Sequence, residues 1–449
     1  MTKPAAILAV LVLCCGRGAV AESPSHVERI RLIIETDAGG DPDDEQSLVR
    51  FLLYANDFDI EGIIANREHA RKGENLNTAR TGDAIVRRLV EAYGECQPRL
   101  VEHDPRYPPV EQLRERTVAG YDEMDDGVEL IIRVVDADDP RPVWYSDWGT
   151  DHMAAENNLR RALDRVLAER GPEGYAAFKN KLRLSSTDRF AEHTTTLEPA
   201  FPLWVDTWRP HYGHERWYWQ FSEITRYAGG FDLERDCRTG HGPLGALYPT
   251  NTTHIQKEGD TGSFLYLVPT GMNDPQEPGW GSWAGRYGPR EDFPGKPYFW
   301  ANQQDDWNGS VHRDNTLARW AAHLQNDFKA RLDWCVQPRE AANHHPVVQV
   351  EGDRRRTVRS GDALTIDASA SSDPDGDELS FRWEFYPEAG TYDGSLTSEG
   401  TEASRLAFIA PQVAEPADIH LVLSVTDAGE PPLTRYARVI VRVEPKEKD

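Results

Sequence analysis

Residues 30–64 read IRLIIETDAGGDPDDEQSLVRFLLYANDFDIEGII, and this stretch decides the fold of the larger part of the chain. The apolar run at 31–35 predicts a β-strand, and the spaced apolar residues between 48 and 54 predict a helix. A second apolar run at 60–65 predicts another strand. Strand, acidic loop, helix and strand in such close succession are typical of a βαβ unit in a parallel sheet.

The residues that follow continue this alternation. Their apolar spacing predicts helices at 78–93, 130–135 and 159–167, a buried strand at 142–146 and a closing helix at 315–334. The predicted fold class is therefore α/β, with an open, mostly parallel sheet flanked by helices. Such sheets bind ligands at the carboxyl ends of their strands, so we expect the site at the loops that contain Asp37, Asn66 and Trp148.

The last hundred residues have a different pattern. Short apolar runs alternate with turns at 347–350, 363–366, 379–385, 406–409, 419–425 and 437–443, which predicts an all-β, immunoglobulin-like sandwich. We therefore expect an α/β domain at 22–342 and a sandwich domain at 343–449. The SSDPDGD sequence at 371–377 is interpreted as a tight turn, with calcium binding as the alternative.

The first 21 residues have the features of a secretory signal peptide. Lys3 precedes an apolar run, and the small residues before Glu22 predict cleavage near Ala21–Glu22. No later stretch is long and apolar enough to predict a membrane span. The expected location is therefore secreted or periplasmic, where the remaining cysteines, Cys96, Cys237 and Cys335, allow one disulfide at most.

Composition narrows the class of partner. Asp and Glu number 75 and Lys and Arg 50, which gives a formal charge of −25. Because phosphate backbones are repelled by such a charge, nucleic-acid polymers are excluded as expected partners. An acidic balance is compatible with a local site for a divalent cation, and equally with a surface that only keeps the protein soluble.

The acidic loop between the first strand and the first helix carries the strongest functional signal. Five acidic residues lie within ten positions: Glu35, Asp37, Asp41, Asp43 and Asp44. Carboxylates this close raise one another's pKa unless a cation binds them, and Ca²⁺ accepts several carboxylate and carbonyl oxygens. An acidic helix N-terminus on a surface loop is the alternative, and we favour the calcium site because the whole cluster follows a buried strand.

This loop resembles the signature of the calcium-dependent nucleoside hydrolases. Its longer form is similar to a secreted bacterial, nucleoside-hydrolase-like branch, some members of which are described as cellulose-binding. The following sandwich resembles the polycystic-kidney-disease type of immunoglobulin-like domain. The segments that carry the resemblance are Asp37–Asp44, 57–65, Glu258–Thr261, Asn273–Gly281 and Leu324–Phe328.

The resemblance implies a set of site residues. Calcium ligands would be Asp37, Asp44, the carbonyl of Thr150, and Asp260, with Asp37 also the general base. Asp43 would bind ribose hydroxyls and Asn66 would contact the sugar, and Asn273 and Trp283 are further candidates for contact with substrate. Trp283 belongs to an aromatic segment at 185–310 that is expected to lie over a sheet edge or to wall a binding cleft. Its ring could stack on a sugar or base, and packing in the core is the alternative.

Two functions remain open from the sequence. The first is calcium-dependent hydrolysis of N-glycosidic bonds in ribosyl compounds. The alternative is a non-catalytic protein that binds polysaccharide or another carbohydrate through the same cleft and the sandwich. The complete acidic signature favours hydrolysis, which is the leading interpretation. The alternative is favoured by the tryptophan-rich segment and by Gly259, which stands directly before Asp260 where the hydrolases have a histidine that serves the leaving group.

Overall fold

The computed structural model describes residues 29–71, 79–121, 124–148, 157–186, 204–206, 225–250, 256–289 and 300–446. Six parallel strands form one sheet in the order β3-β2-β1-β4-β5-β6, which confirms the predicted α/β class. The strands are β1 (Ile30–Thr36), β2 (Phe58–Ala65), β3 (Thr117–Ala119), β4 (Val143–Trp148), β5 (Leu182–Ser186) and β6 (Trp204–Asp206).

Strand β1 is central and is covered on both faces. Leu32 and Ile34 pack into one apolar core, while Ile33 packs into a second core on the opposite face. This alternation explains why β1 is an unbroken β-branched run, since a strand of a parallel sheet buries both of its faces. The order of the strands reverses direction at β1, where β2 and β4 lie on either side, and a ligand site is expected at this reversal.

The helices cover the two faces of the sheet. The larger ones are α1 (Pro42–Leu53), α2 (Gly82–His103), α3 (Val110–Arg116), α4 (Asp126–Asp136) and α5 (Asn158–Asn180), followed by the short α6 (Gly242–Ala246), α7 (Thr261–Leu265) and α8 (Asn315–Ala318) and by α9 (Ala321–Trp334). Helices α1 and α2 contribute to the first core, and α4 and α5 to the second.

Two predicted helices differ from those observed. The single helix expected at 315–334 is divided into α8 and α9, because the chain turns at Arg319 and the fully buried Trp320 inserts between them. The helix expected at 159–167 continues to Asn180 across a kink at Gly171, whose φ of 67° is accessible to glycine.

Two pairs of short strands lie between α7 and α8 in the chain. They are β7 (Tyr287–Pro289), which pairs with β8 (Trp300–Asn302), and β9 (Asp305–Trp307), which pairs with β10 (Ser310–His312). Within the described part of the chain, no helix has both the length and the apolar character needed to cross a membrane.

Two facing sheets form the predicted sandwich around one apolar core. The first has the order β11-β17-β16-β13 and the second β12-β15-β14. Their bounds are β11 (Arg355–Arg359), β12 (Ala363–Asp367), β13 (Ser380–Phe385), β14 (Ser398–Glu399), β15 (Arg405–Ile409), β16 (Ala417–Thr426) and β17 (Thr434–Glu444).

The sandwich differs from the prediction at its first strand. The expected strand at 347–350 is wrong: Val347 makes only a single bridge to Ser372. The strand at this edge is β11, which pairs in parallel with β17. Its sequence, RRTVR, is too charged to be recognised from an apolar pattern.

The two regions share buried contacts. Tyr436 of β17 lies in the core of the α/β domain, where its hydroxyl accepts a hydrogen bond from Trp283 Nε1 at 3.1 Å. Tyr386 donates to Asp305 at 2.6 Å, and Asp305 is fully buried between Arg286 and Arg319. The domain boundary at 343 stays a prediction, and the contact between the domains is part of the core.

Candidate metal centre

The acidic loop is anchored to the sheet by its own backbone and side chains. Asp44, in the first turn of α1, accepts hydrogen bonds from Thr36 Oγ1 at 2.5 Å and from the backbone N–H of Asp37 at 3.1 Å. Gly39 allows the turn, because its φ is 92° and a Cβ there would lie 2.9 Å from Ile85. The loop therefore holds Asp44 inward, at the carboxyl end of β1.

A third carboxylate reaches this loop from a distant part of the chain. Asp260 directly precedes α7, and its carboxylate lies with those of Asp43 and Asp44, so that one oxygen of each is within 4.8 Å of the others. All three residues are buried, with 3–8% of their surface exposed. Three buried carboxylates that converge on one point form a donor set that suits a hard divalent cation.

A buried ion pair docks the Asp260 segment on α1. Arg50 donates to Glu258 through Nε at 2.5 Å and through Nη2 at 3.0 Å, and neither side chain is exposed. The hydroxyls of Tyr248 and Thr261 donate to the same carboxylate, at 2.6 and 2.9 Å. These contacts fix the position of the segment before Asp260 relative to the helix that carries Asp43 and Asp44.

Two more residues of α1 complete the docking. The side-chain oxygen of Gln46 accepts hydrogen bonds from the backbone N–H groups of Lys257 and Glu258, at 2.7 and 3.2 Å. The Ser47 hydroxyl can donate to Thr261 Oγ1, which lies 3.0 Å from Ser47 Oγ. One face of α1 therefore binds the segment that contains Asp260, and the first turn of α1 supplies the carboxylates of Asp43 and Asp44.

The electrostatics of the cluster favour bound cations. Burial, together with repulsion from Asp260 and Asp37, raises the pKa of Asp44 well above its usual range. Burial and the charge of Asp41 raise the pKa of Asp43 to about 7, although Lys257 opposes this shift. Lys257 also forms an ion pair with Asp41. The Lys257 ammonium thus offsets part of the negative charge of the cluster, and a divalent cation would relieve the remaining repulsion between the carboxylates.

Asp37 has a partner that the sequence did not suggest. Arg67 forms an ion pair with the Asp37 carboxylate and donates from Nε to the Asp37 carbonyl at 2.9 Å. The guanidinium lies over Gly40, where a Cβ would be 2.8 Å from Nη2. The only sequence signal was the position of Arg67 directly after Asn66, at the end of β2. Access to Asp37 therefore depends on Arg67.

Asn66 lies at this edge of the sheet and contacts a second acid. Its Nδ2 donates to Glu35 Oε1 at 3.1 Å, and Asn158 Nδ2 donates to the same oxygen at 2.9 Å. Burial raises the pKa of Glu35 to about 7 against the effect of these two hydrogen bonds. Asn66 is thus oriented by Glu35, next to the loop that contains Asp37.

The structure does not bring the other two expected substrate contacts to the cluster. Trp283 is fully buried against Tyr436 and exposes no face on which a sugar could stack. Asn273 lines a cavity of about 560 Å³ with Ile30 and Pro142, at the amino ends of β1 and β4. Its position is therefore at the opposite end of the sheet from Asp37. Thr150 lies outside the described residues.

The chain is similar to proteins of known domain families. The profile described as "Cellulose-binding Sde182, nucleoside hydrolase-like domain" matches residues 31–287. The profile "Cellulose-binding protein Sde0182, C-terminal domain" matches residues 363–443. No protein with a curated description matches this chain.

Solved structures give the same relationship. A nucleoside hydrolase-related hypothetical protein from Saccharophagus degradans, associated with carbohydrate metabolism, is 31% identical, with a TM-score of 0.72. That match covers 93% of this chain and 100% of the other. The PKD domain of the KIAA 1837 protein is 22% identical over 23% of this chain and 91% of its own. Its TM-score of 0.18 is too low to indicate a shared fold. The first match and the two profiles confirm the resemblance read from the acidic loop.

Proposed function

This chain belongs to the Sde182 family of nucleoside-hydrolase-like proteins, and from that premise we propose that it hydrolyses the N-glycosidic bond of a ribosyl compound at the acidic loop. The observation that supports this proposal is the convergence of Asp43, Asp44 and Asp260 at the carboxyl end of a parallel strand. The proposed cofactor is Ca²⁺, and the proposed location is outside the cytoplasm, in line with the signal peptide expected at 1–21.

The residues of this chain have separate proposed roles. Asp37, Asp44, Asp260 and the carbonyl of Thr150 would hold the ion. When bound, Ca²⁺ would supply oxygen coordination for the sugar hydroxyls and would lower the pKa of a water molecule. Asp37 would accept the proton of the attacking water, which requires Arg67 to leave the Asp37 carboxylate.

Asp43 and Asn66 would orient the sugar. The Asp43 carboxylate lies beside those of Asp44 and Asp260, where it would accept hydrogen bonds from ribose hydroxyls. Asn66 is held at the neighbouring strand end by Glu35. Because residue 259 is a glycine, it has no side chain that could donate a proton to the leaving group. The proposed substrate is therefore one whose leaving group departs without a proton from this position.

A nitrophenyl riboside tests this proposal, because its leaving group needs no general acid. We expect calcium-dependent release of nitrophenol by the wild type. Asp37→Asn should lower the rate by about 10² to 10⁴, since it removes the proton acceptor. Asp260→Ala should abolish calcium binding at the acidic loop and turnover together. Asp83→Asn, at an exposed ion pair on α2, is the matched control and should keep full activity. Turnover that is unaffected by Asp37→Asn would contradict the assigned roles.

A second candidate function is non-catalytic binding of a carbohydrate such as a polysaccharide. The ion pair between Arg67 and Asp37 favours it, because a carboxylate held by a guanidinium must leave that partner before it can take a proton from water, yet it can still accept hydrogen bonds from sugars. The name of the C-terminal family profile also refers to cellulose binding. Sedimentation with insoluble cellulose, with and without a chelator, separates the candidates: a binding protein is retained by cellulose and shows no turnover of any riboside.

A further inference from the structure

The cavity of about 560 Å³ at the amino ends of β1 and β4 is lined by both domains. Ile30 and Trp144 of the parallel sheet form one side of its wall. Arg355 of β11 and Arg438 of β17 line it from the sandwich. The volume is ordinary for a pocket that binds a small organic ligand. A molecule bound there would contact both domains, at the end of the sheet opposite the acidic loop.

The described lining of this cavity is rich in positive charge. Seven arginines line it, together with two acidic residues, Asp57 and Asp274. This excess is local, because the whole chain has a formal charge of −25. Asp57 forms an ion pair with Arg331 at 2.8 Å. The four arginines of the lining that belong to the α/β domain are also ion-paired: Arg29, Arg31, Arg106 and Arg141.

The arginines that line the cavity from the sandwich differ from these four. Within the part of the chain that the structure describes, Arg354, Arg355 and Arg438 form no ion pair with a carboxylate. Arg355 and Arg438 lie close to one ring, since their Cζ atoms are 4.9 and 5.7 Å from the centroid of Trp280. Asp274 is the one acid of the described lining outside an ion pair. Positive charge therefore remains in excess on this side.

Arg438 is buried with neutral partners alone. The residue is 5% exposed, and it donates to the carbonyls of Met272 and Trp280, at 2.7 and 2.6 Å. Its Nη1 donates to His420 Nδ1 at 3.1 Å, because a guanidinium cannot accept a hydrogen bond. Burial lowers the pKa of Arg438 to about 10. Because a buried charge is costly without an opposite charge, an anion in the cavity would stabilise this guanidinium.

The rest of the wall indicates what the anion is attached to. Apart from the charged residues, most of the lining is apolar, including Ile30, Pro142, Trp144, Leu267, Met272 and Ile440. Asn273 and Gln276 are the uncharged polar side chains of the described lining. The Asn273 amide is already bound, by the Thr270 hydroxyl at 3.0 Å and the Tyr266 carbonyl at 2.8 Å. The many hydroxyls of a sugar would find few partners here, whereas an apolar body loses nothing.

We propose that this cavity binds a small organic carboxylate, whose charged group is held by Arg355 and Arg438 and whose apolar or aromatic body packs against the wall. Arginine suits both parts of such a ligand, because its planar fork binds carboxylates and its face stacks on aromatic rings. Arg354, next to Arg355 in the chain, adds positive charge at the same side. The site is separate from the acidic loop, so the proposal does not depend on hydrolysis.

Cinnamate and cinnamyl alcohol test the proposal as a charged and a neutral probe of one shape. We expect calorimetry on the full chain, in the presence of a chelator, to show one bound cinnamate per chain. Cinnamate should also raise the midpoint of thermal unfolding, because it binds the folded state. Cinnamyl alcohol should bind at least about tenfold more weakly, since it lacks the charged group. Glucuronate and inorganic phosphate, anions without an apolar body, should be weaker by a similar factor of about ten.

Variants locate the bound probe. Arg355→Gln changes an exposed residue and should weaken cinnamate binding by about three- to tenfold. Arg438→Lys keeps the charge but removes the planar fork, so it should also weaken binding. Arg442→Gln is the matched control, because Arg442 is exposed on the same strand as Arg438 and does not line the described cavity. Its affinity for cinnamate should equal that of the wild type.

The outcomes separate the parts of the proposal. Absence of cinnamate binding in the wild type, or wild-type affinity in both Arg355→Gln and Arg438→Lys, would overturn the site. If Arg438→Lys does not fold, the result for Arg355→Gln decides alone. Equal affinities for cinnamate and cinnamyl alcohol would overturn the recognition of an anion. Glucuronate or phosphate binding as tightly as cinnamate would overturn the apolar body.

Discussion

Arg50 and Glu258 lie 208 positions apart and form an ion pair with no exposed surface. The pair joins the helix that carries Asp43 and Asp44 to the segment that ends in Asp260. Because a buried charge that loses its partner is left without compensation, this pair controls both the fold and the geometry of the acidic cluster.

Removal of Arg50 should therefore destabilise the protein strongly. We expect Arg50→Met to lower the free energy of unfolding by about 3–5 kcal/mol, as measured in urea. Arg87→Met removes the exposed partner of Asp83 and should cost less than about 1 kcal/mol. Similar losses for the two variants would show that the Glu258 charge finds compensation elsewhere.

Asp44→Asn should have effects of opposite sign with and without calcium. In chelator, the substitution removes one of three crowded carboxylates and keeps the acceptor for Thr36, so the midpoint of thermal unfolding should be equal or higher. In millimolar calcium the wild type gains stability by binding and the variant does not, so the order should reverse. Parallel melting curves under both conditions measure this, and an unchanged order would contradict a metal site at Asp44.

Substitution of Arg67 tests whether Asp37 is a metal ligand. Arg67 competes with any cation for the Asp37 carboxylate, so Arg67→Gln should raise calcium affinity by about two- to fivefold. Arg71→Gln, four residues further along, is the control for the loss of a positive charge near the loop. Calorimetric titration gives both affinities. An unchanged affinity in Arg67→Gln would remove Asp37 from the set of ligands.

Neutral histidines make the contact between the domains sensitive to acid. Burial lowers the pKa of His323 to about 4 and that of His420 to about 3, from an ordinary value of 6.5. His323 Nδ1 contacts the Tyr436 hydroxyl, and His420 Nδ1 contacts Arg438 Nη1 at 3.1 Å. Between pH 6.5 and 4 the unfolded chain binds protons that the folded chain does not, so these residues reduce stability as pH falls.

The measurement must separate this effect from that of buried acids. Glu35 and Asp43, with pKa values of about 7, bind protons in the folded state first and so add stability as pH falls through the same range. We therefore compare urea unfolding at pH 7 and pH 5 between the wild type and His323→Asn or His420→Asn. Each variant keeps an acceptor oxygen and should lose less stability on acidification, by up to about 1.4 kcal/mol per pH unit. Identical pH dependence would contradict neutral histidines at this contact.

The sequence predicted what is local and missed what depends on tertiary contacts. The run before Asp37 and the first turn of α1 were recognisable because strand, loop and helix follow one another directly. Arg67 was missed because it reaches Asp37 from 30 positions away, at the end of the neighbouring strand. Trp283 was assigned to the cleft because it follows a recognisable motif, whereas its burial is decided by Tyr436, 153 positions later.

The two halves of the acidic cluster also determine when it can form during folding. Residues 37–44 are translated early, yet the third carboxylate arrives only with Asp260, after more than two hundred further residues. Closing so long a loop delays the contact until the core between α1 and the later segment has assembled. A nascent chain therefore carries an incomplete cluster, and its affinity for metal ions becomes a late reporter of native assembly.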